Sequence, residues 1–450
     1  MHAWRQRVSR GVRGIRCTWL MMGVATLLQL ATSGVVAAQE RVRADNVPAE
    51  PPPLAPGASP MLDSARALRG APLQVAVYIY GPGDFVFEKF GHIALAITDP
   101  ATGEDIAYNW GMFDFEQPNF LGRFLTGDTR YWMAGYPTSA FNAVYQAQNR
   151  SIRKLTLSLD ATQRGALADY VAWNAREQNR YYRYDYYRDN CSTRVRDALD
   201  WVLGGSLRPA LDRPGAGRTW RGETARITAS DLPVFAGIHL ALGRNADRPL
   251  TQWEEGFLPD YLGDYLVGAR GSFEPLVTQD TVLFNAAREP MPTVAPTRAV
   301  GALALGLTLA FLLVALDRAP APWGARVLSV VGSGVFILGG VLGTALMLAG
   351  TVTKHAPYMG NNMTVLQLHP LWLAAGALWP WRNADTRLGR AAAALTVLIA
   401  TLATVGALLG LLPMFRQRSP VVLAVVLPVT QALAVIVWER HARLTRERAR

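Results

Sequence analysis

The chain has 450 residues, enough for two or three domains; half of them are hydrophobic and only 18% are charged. The apolar residues are concentrated at the N-terminus and after residue 297, a distribution that indicates a membrane protein. The formal net charge of +11 does not favour nucleic-acid binding. Ten of the basic residues lie in short C-terminal loops and the tail, where such residues set membrane topology.

Residues 1–38 have the pattern of a secretory signal peptide, with an uncleaved anchor as the alternative. Five arginines precede the apolar run Trp19–Leu30, and small residues lead to a cleavage site after Ala38. Cleavage would remove Cys17 and leave Cys191 as the one cysteine, which excludes an internal disulfide. A lone thiol in an oxidising compartment indicates either a reactive cysteine or a small side chain that fills space in the core.

The remaining chain divides into four segments. Residues 39–70 are rich in proline and predict a flexible linker, 71–290 form a soluble domain, and 439–450 are a basic tail. Residues 297–438 predict five transmembrane helices, at roughly 298–316, 327–350, 363–381, 392–413 and 420–438. Ten basic residues fall on one side of these spans and three on the other. We therefore expect a bacterial inner-membrane protein with a periplasmic soluble domain and a cytoplasmic C-terminus.

Alternating apolar residues predict strands at 73–80, 92–98, 106–110 and 153–159 of the soluble domain. In the second of these, His92 shares a face with small alanines, which leaves room for a helix end to approach. Asp160 and Gln163 form a capping-box pattern that opens a helix. The domain is therefore expected to be α+β, with an antiparallel sheet connected by hairpins.

Cys191 is the candidate nucleophile. Asp189 and Asn190 precede it as helix caps, and an apolar stripe at helical spacing follows from Val195. The thiol is thus expected in the first turn of a helix, on its buried face. Backbone N–H groups and the helix dipole there stabilise a thiolate and the oxyanion of an acyl-transfer intermediate.

A thiol nucleophile needs a base, and His92 is the candidate. His239, in an apolar stretch, is expected to be structural. Asn109 is the first candidate for the group that orients the imidazole, because it lies one strand away on the matching face. The alternatives are Glu104, Asp105 and Tyr108. No histidine–cysteine spacing typical of a metal site and no glycine-rich phosphate loop is present, so no cofactor is expected.

Aromatic residues precede and surround these motifs, and they predict either an acyl pocket or an ordinary core. Five tyrosines lie between 181 and 187, including Tyr187, and Tyr108, Trp110 and two phenylalanines follow the predicted hairpin. Arg194 follows Cys191 and could meet a phosphate head group, although solvated helix charges are commoner. Tyr108, Tyr187 and Arg194 are therefore the candidate substrate-binding residues.

Several separated motifs between about 73 and 265 resemble the Lnb-type N-terminal periplasmic domain. They include the Gly-His motif at His92, residues 108–115, the Asn-Cys motif at Cys191, and the segment 246–259. A loop with His355, Asn361 and Asn362 before a span is similar to the family's membrane region. The resemblance implies a lipoprotein N-acyltransferase that moves a phospholipid acyl chain to the amino group of a lipidated N-terminal cysteine. It also implies a fold like the permuted NlpC/P60-like and lecithin:retinol acyltransferase-like thiol enzymes, a permuted papain-like arrangement.

Three functions compete at this point. The first is acyl transfer through a Cys191 thioester, with a phospholipid donor and a lipoprotein acceptor as partners. The second is a cysteine hydrolase that uses the same pair on peptidoglycan peptides or lipid esters. The third is a membrane scaffold in which Cys191 is structural.

Overall fold

A computed structural model describes residues 50–271 and 274–449. The predicted signal peptide lies outside these residues. The chain divides into two compact units. The first consists of Arg43–Ile238 and Asp247–Pro296, and the second includes His239–Ala246 and Thr297–Arg450. Most of residues 71–290 lie in the first unit, which also contains part of the predicted linker, and residues 239–246 lie in the second.

A seven-stranded antiparallel sheet forms the centre of the first unit, in the order β6-β4-β3-β2-β1-β5-β7. The strands are β1 Gln74–Tyr80, β2 His92–Asp99, β3 Glu104–Met112, β4 Arg130–Pro137, β5 Ile152–Leu157, β6 Tyr181–Arg183 and β7 Val277–Phe284. All four strands expected from alternation are present, and the predicted antiparallel sheet with helices is confirmed.

Ten helices accompany this sheet in the described sequence up to Phe284. They are α1 Pro60–Gly70, α2 Phe120–Thr126, α3 Thr138–Ala147, α4 Ala161–Asn174, α5 Cys191–Val202, α6 Leu207–Leu211, α7 Trp220–Ile227, α8 Leu232–Ala241, α9 Gln252–Glu255 and α10 Pro259–Gly268. The predicted capping box opens α4, where the Asp160 carboxylate accepts from the Gln163 N–H at 2.8 Å. Part of the expected flexible linker is ordered, since α1 packs closely against α4 through Gly70 and Gly165.

The two faces of the sheet carry different helices. Val77, Ile93 and Leu95 project from one face into the main core, together with Val195 and Leu199 of α5. The opposite face, which carries the small alanines, is covered by α3 through Tyr145 and other rings. The expectation that the cysteine helix approaches the small-residue face is therefore wrong. Branched side chains on the other face bury more apolar surface against the stripe of α5.

The second unit contains α11 Ala299–Arg318, α12 Pro322–Thr351, α13 Ala356–Met359, α14 Leu371–Leu378, α15 Arg387–Leu409 and α16 Pro420–Ala449. Short 3-10 turns lie at Arg244–Asp247, Met363–Leu366, Trp379–Trp381 and Pro413–Phe415. Among the described residues, four helices are long and apolar enough to cross a membrane: α11, α12, α15 and α16. The count of five transmembrane helices is not confirmed.

The fifth expected span, at 363–381, is broken instead. Its helix α14 has eight residues, about 12 Å of length against a hydrocarbon core of about 30 Å. Pro370 precedes it and Pro380 follows it, and a proline lacks the N–H that would continue the helix. The segment nevertheless runs antiparallel to α12, because Gly343 packs against Leu368 and Gly332 packs against Trp379. Apolar content alone does not reveal such a break.

Candidate active site

Cys191 begins α5, and the preceding asparagine fixes that position. The Asn190 Oδ1 accepts from the N–H groups of Ser192 and Thr193, both at 2.9 Å. Its Nδ2 donates to the carbonyls of Tyr186 and Phe257, again at 2.9 Å. Asn190 therefore caps the helix and ties its first turn to two other segments. The predicted first-turn location of the cysteine is confirmed.

The Cys191 thiol lies among opposing electrostatic influences. Backbone N–H groups of Ile93, Ser192 and Cys191 itself donate toward the sulfur, and these hydrogen bonds favour the thiolate. Burial disfavours the charged form more strongly and raises the pKa of the Cys191 thiol to about 11. The expected ionised thiol is therefore not the resting state. At neutral pH the thiol keeps its proton and needs a base.

His92, the candidate base, lies at the start of β2 next to Ile93 and lines the same cleft as Cys191. Its Nε2 lies 3.1 Å from the Asn109 Oδ1. The Asn109 Nδ2 donates to the Ala107 carbonyl at 2.9 Å, so its oxygen faces the imidazole. The imidazole therefore donates from Nε2 and leaves Nδ1 as the basic nitrogen. This is the orienting geometry anticipated for Asn109.

The imidazole of His92 is packed among aromatic rings on the alanine-bearing face. Its centroid lies 6.2 Å from that of Tyr80 and 6.1 Å from that of Tyr145, in stacked arrangements. Burial, opposed by the Asn109 hydrogen bond and reinforced by Arg150, lowers the pKa of His92 to about 4. The histidine is thus neutral at pH 7, the form that can accept a proton.

His92 and Cys191 line the same cleft, at the end of the sheet where β2 begins and β3 ends. Its volume is about 280 Å³. Small-molecule pockets are usually about 300–1,000 Å³, so the cleft suits a reacting group with a short piece of chain. Nine of the twenty residues in its wall are phenylalanine or tyrosine: Phe87, Phe90, Phe113, Tyr131, Phe141, Tyr145, Tyr184, Tyr186 and Phe257. Three of these, Phe113, Tyr184 and Tyr186, belong to the aromatic set predicted for an acyl pocket.

The three candidate substrate-binding residues do not line this cleft. Tyr108 alternates with Asn109 and packs against the main core on the other face of the sheet. Tyr187 is buried, and its hydroxyl lies 2.9 Å from the Thr224 Oγ1. Arg194 forms a salt bridge with Asp189 and stacks over the Tyr182 ring. The geometry of the cleft gives no support to a substrate-binding role for any of them.

The alternative orienting groups are also placed elsewhere. Asp105 accepts from the hydroxyls of Thr98, at 3.0 Å, and Thr138, at 2.8 Å, which ties β3 to α3. Glu104 is exposed at the start of the strand. His239 is buried in α8 and does not line the cleft. Asn109 is the candidate that contacts the imidazole.

Two residues of the cleft, Arg150 and Gly111, were not predicted as site residues. Arg150, between α3 and β5, is 3% exposed. Gly111 has a φ of 97°, at an irregularity of β3, and a Cβ there would lie 3.7 Å from the Cys191 Cβ. Gly111 lies in the motif at residues 108–115, two residues after Asn109, and that motif is its sequence signal. Arg150 has no such signal, because only tertiary packing brings it to the cleft.

The loop with His355, Asn361 and Asn362 lies in the second unit. The Asn362 Nδ2 donates to the carbonyls of Leu240, at 2.9 Å, and Ala241, at 3.1 Å. Asn361 donates to Asn245 at 3.2 Å. The amides of this loop therefore bind residues 239–246, which explains why that short segment belongs to the second unit.

Comparison with known proteins agrees with the motifs. Residues 64–222 match the family described as Lnb N-terminal periplasmic domain, and this range contains His92, Asn109, Arg150 and Cys191. No curated protein and no solved structure matches the chain. Residues 64–222 are thus similar to the Lnb N-terminal periplasmic domain, and the described part of the chain also contains four helices long and apolar enough to cross a membrane.

Proposed function

We propose that this protein is a cysteine-dependent acyltransferase that moves a phospholipid acyl chain to an amine, with the N-terminal lipidated cysteine of lipoproteins as the acceptor. The observation that carries the proposal is the shared cleft: the Cys191 thiol and the His92 imidazole line it, and Asn109 orients the imidazole. The proposal includes the permuted papain-like arrangement, in which the histidine strand precedes the cysteine helix.

The neutral pair supports general-base catalysis. His92 Nδ1 takes the Cys191 proton as the sulfur attacks the ester carbonyl of the donor. The S–C bond forms, the C–O bond breaks, and the imidazolium returns the proton to the departing alkoxide of the lysophospholipid. An amine then attacks the thioester and loses its proton to His92, and the thiolate leaves and is reprotonated. Asn109 stabilises the imidazolium in both steps through the Nε2 hydrogen bond.

A chain of phenylalanine rings supports a lipid rather than a peptide substrate. In the cleft wall, the Phe113 centroid lies 5.0 Å from that of Tyr131 and 5.4 Å from that of Phe87. Farther out, Phe115 is 4.9 Å from Phe113 and 59% exposed, and Phe85 is 65% exposed. An apolar path from the surface to the thiol suits an acyl chain, whereas a peptide would need hydrogen-bonding partners along it.

We propose further that the domain lies in the periplasm and the C-terminus in the cytoplasm. The ends of the second unit support five passages of the chain. Gln417 hydrogen-bonds to Asn362 and Thr364 at one end, and Arg382 hydrogen-bonds to Ser329 at the other. These contacts support a fifth passage of the chain by the broken segment, and an inner-membrane location agrees with the distribution of basic residues. A reporter fused after Arg450 should be active only in the cytoplasm; periplasmic activity would contradict this topology.

Mass spectrometry of lipoprotein N-termini tests the function. In cells that lack other N-acyltransferases, expression of the wild-type chain should convert free α-amino groups of lipoproteins to N-acylated ones. The Cys191→Ala variant, matched for membrane abundance, should leave them free. Conversion by the alanine variant would exclude the thiol mechanism. Free fatty acid without N-acylation would identify a lipid hydrolase. The absence of both products would favour the membrane scaffold.

A further inference from the structure

Arg150 is a buried cation in the wall of the thiol cleft, and the acyl-transfer steps proposed above assign no role to its charge. Its side chain reaches the cleft from the turn between α3 and β5. The Nε donates to the Gly81 carbonyl at 2.8 Å, which fixes the guanidinium. The guanidinium carbon also lies 4.4 Å from the centroid of the Tyr145 ring, which in turn stacks on His92.

The charge of Arg150 is only loosely compensated. Its nearest carboxylate is Glu88, at 3.5 Å, and Gln148 lies at 3.4 Å. Its shortest contact is with a neutral carbonyl. Because the surroundings are apolar and largely shielded from water, this positive charge acts over a longer range than an exposed one.

The charged and titratable side chains that face Cys191 come from several elements. They are His92 from β2, Tyr145 from α3, Tyr131 from β4, Tyr182 from β6, and Tyr184 and Tyr186 after it, with Glu88 and Arg150 in the cleft wall. The five tyrosines have pKa values raised by burial and are neutral at physiological pH. His92 is neutral as well. The Arg150 guanidinium and the Glu88 carboxylate are therefore the fixed charges in this group.

We propose that Arg150 is a positioning residue of the site, whose fixed positive charge stabilises the Cys191 thiolate as it forms. This inference rests on the proposed function for its purpose, since it assigns the charge to the same nucleophile. A histidine that must be neutral to act as a base cannot also supply a standing positive charge. Arg150 supplies that charge and does not exchange a proton at neutral pH.

The test measures the thiol itself and not acyl transfer. All variants carry Cys17→Ser, so that Cys191 is the one thiol of the full-length chain. Alkylation by iodoacetamide is followed between pH 7 and 9.5 by mass spectrometry of the peptide that contains Cys191. Because the thiolate is the reactive form, the rate at a fixed pH below the pKa falls tenfold for each unit by which the pKa rises.

Arg150→Met should slow alkylation about tenfold, as expected for a rise of about one pKa unit, and Arg150→Lys should restore most of the rate. Arg164→Met is the matched control, because Arg164 also binds backbone carbonyls, those of Leu159, Gly70 and Ala71, but does not line the cleft. Its profile should stay unchanged. An unchanged profile for Arg150→Met, or a lysine variant as slow as the methionine variant, would overturn the proposal.

Glu88→Gln provides a second measurement if Arg150→Met does not fold. The glutamine oxygen can still accept from the Phe85 N–H, which donates to Glu88 at 3.2 Å. Removal of the carboxylate leaves the Arg150 charge uncompensated, so alkylation should become faster. A slower or unchanged rate would overturn the proposal. Alkylation proceeds whether or not the protein transfers acyl groups, so a failure of the proposed function leaves these outcomes intact and is recognised separately by the lipoprotein assay.

Discussion

Substitution of Asn109 gives the sharpest test of how His92 is held. Asn109→Ala removes the acceptor 3.1 Å from the His92 Nε2 and the donor 2.9 Å from the Ala107 carbonyl. The Asn109 side chain is fully buried, so the unsatisfied groups should lower the free energy of unfolding by about 1–3 kcal/mol. A hydrogen bond to a charged imidazolium is worth about 1.5–3 kcal/mol, which corresponds to a loss of about 10- to 160-fold in kcat.

Asn109→Asp is the matched variant, because a carboxylate keeps the acceptor for the imidazole and adds a negative charge. That charge favours the imidazolium and should raise the pKa of His92 from about 4 toward its ordinary value. Acyl transfer by this variant should therefore fail at a higher pH than in the wild type. The assay is single-turnover transfer from a labelled phospholipid between pH 4 and 9. Wild-type kcat in the alanine variant, or an unmoved acid limb in the aspartate variant, would refute the orienting role.

Three further results are expected. Cys191→Ser should preserve the unfolding temperature yet abolish transfer, because serine stays protonated where His92 is placed for a thiol; activity above background would contradict this. In the wild type, acyl transfer should persist below pH 6 and fall near pH 4, where protonation of His92 removes the base. A fall in acyl transfer near pH 6.5 would contradict the lowered pKa of His92. Gly111→Ala should lower the free energy of unfolding by about 1–3 kcal/mol, because alanine is strained at the positive φ of this position, and it should also reduce acyl transfer, because the added methyl group would contact Cys191. Gly103→Ala is the control: no atom lies within 4 Å of its added Cβ, so acyl transfer should be unchanged.

Local patterns predicted the parts of the site that depend on local structure. Alternation placed His92 and Asn109 on one face of adjacent strands, and helix caps placed Cys191 in the first turn of α5. Both features follow from neighbours in sequence, so they could be predicted without the fold. The choice of face for α5 could not, because it depends on how much apolar surface each face of the sheet buries.

The electrostatic state of the site depends on packing that the sequence does not specify. The first-turn position of Cys191 favours a thiolate, but burial by rings from several elements raises its pKa. The same packing brings Arg150 to the cleft from 41 positions earlier in the chain. Tyr108, Tyr187 and Arg194 belong to aromatic and basic clusters in sequence, but their contacts hold them away from the cleft.

Trapping of the acyl-enzyme tests the central claim most directly. The full-length protein is incubated with a phospholipid that carries a labelled acyl chain, without an acceptor amine, and digested for mass spectrometry. The label should appear on the peptide that contains Cys191, should be released by neutral hydroxylamine as expected for a thioester, and should move to an added lipoprotein. Cys191→Ala should trap none. Acyl transfer without label on Cys191, or equal label on the alanine variant, would contradict the account.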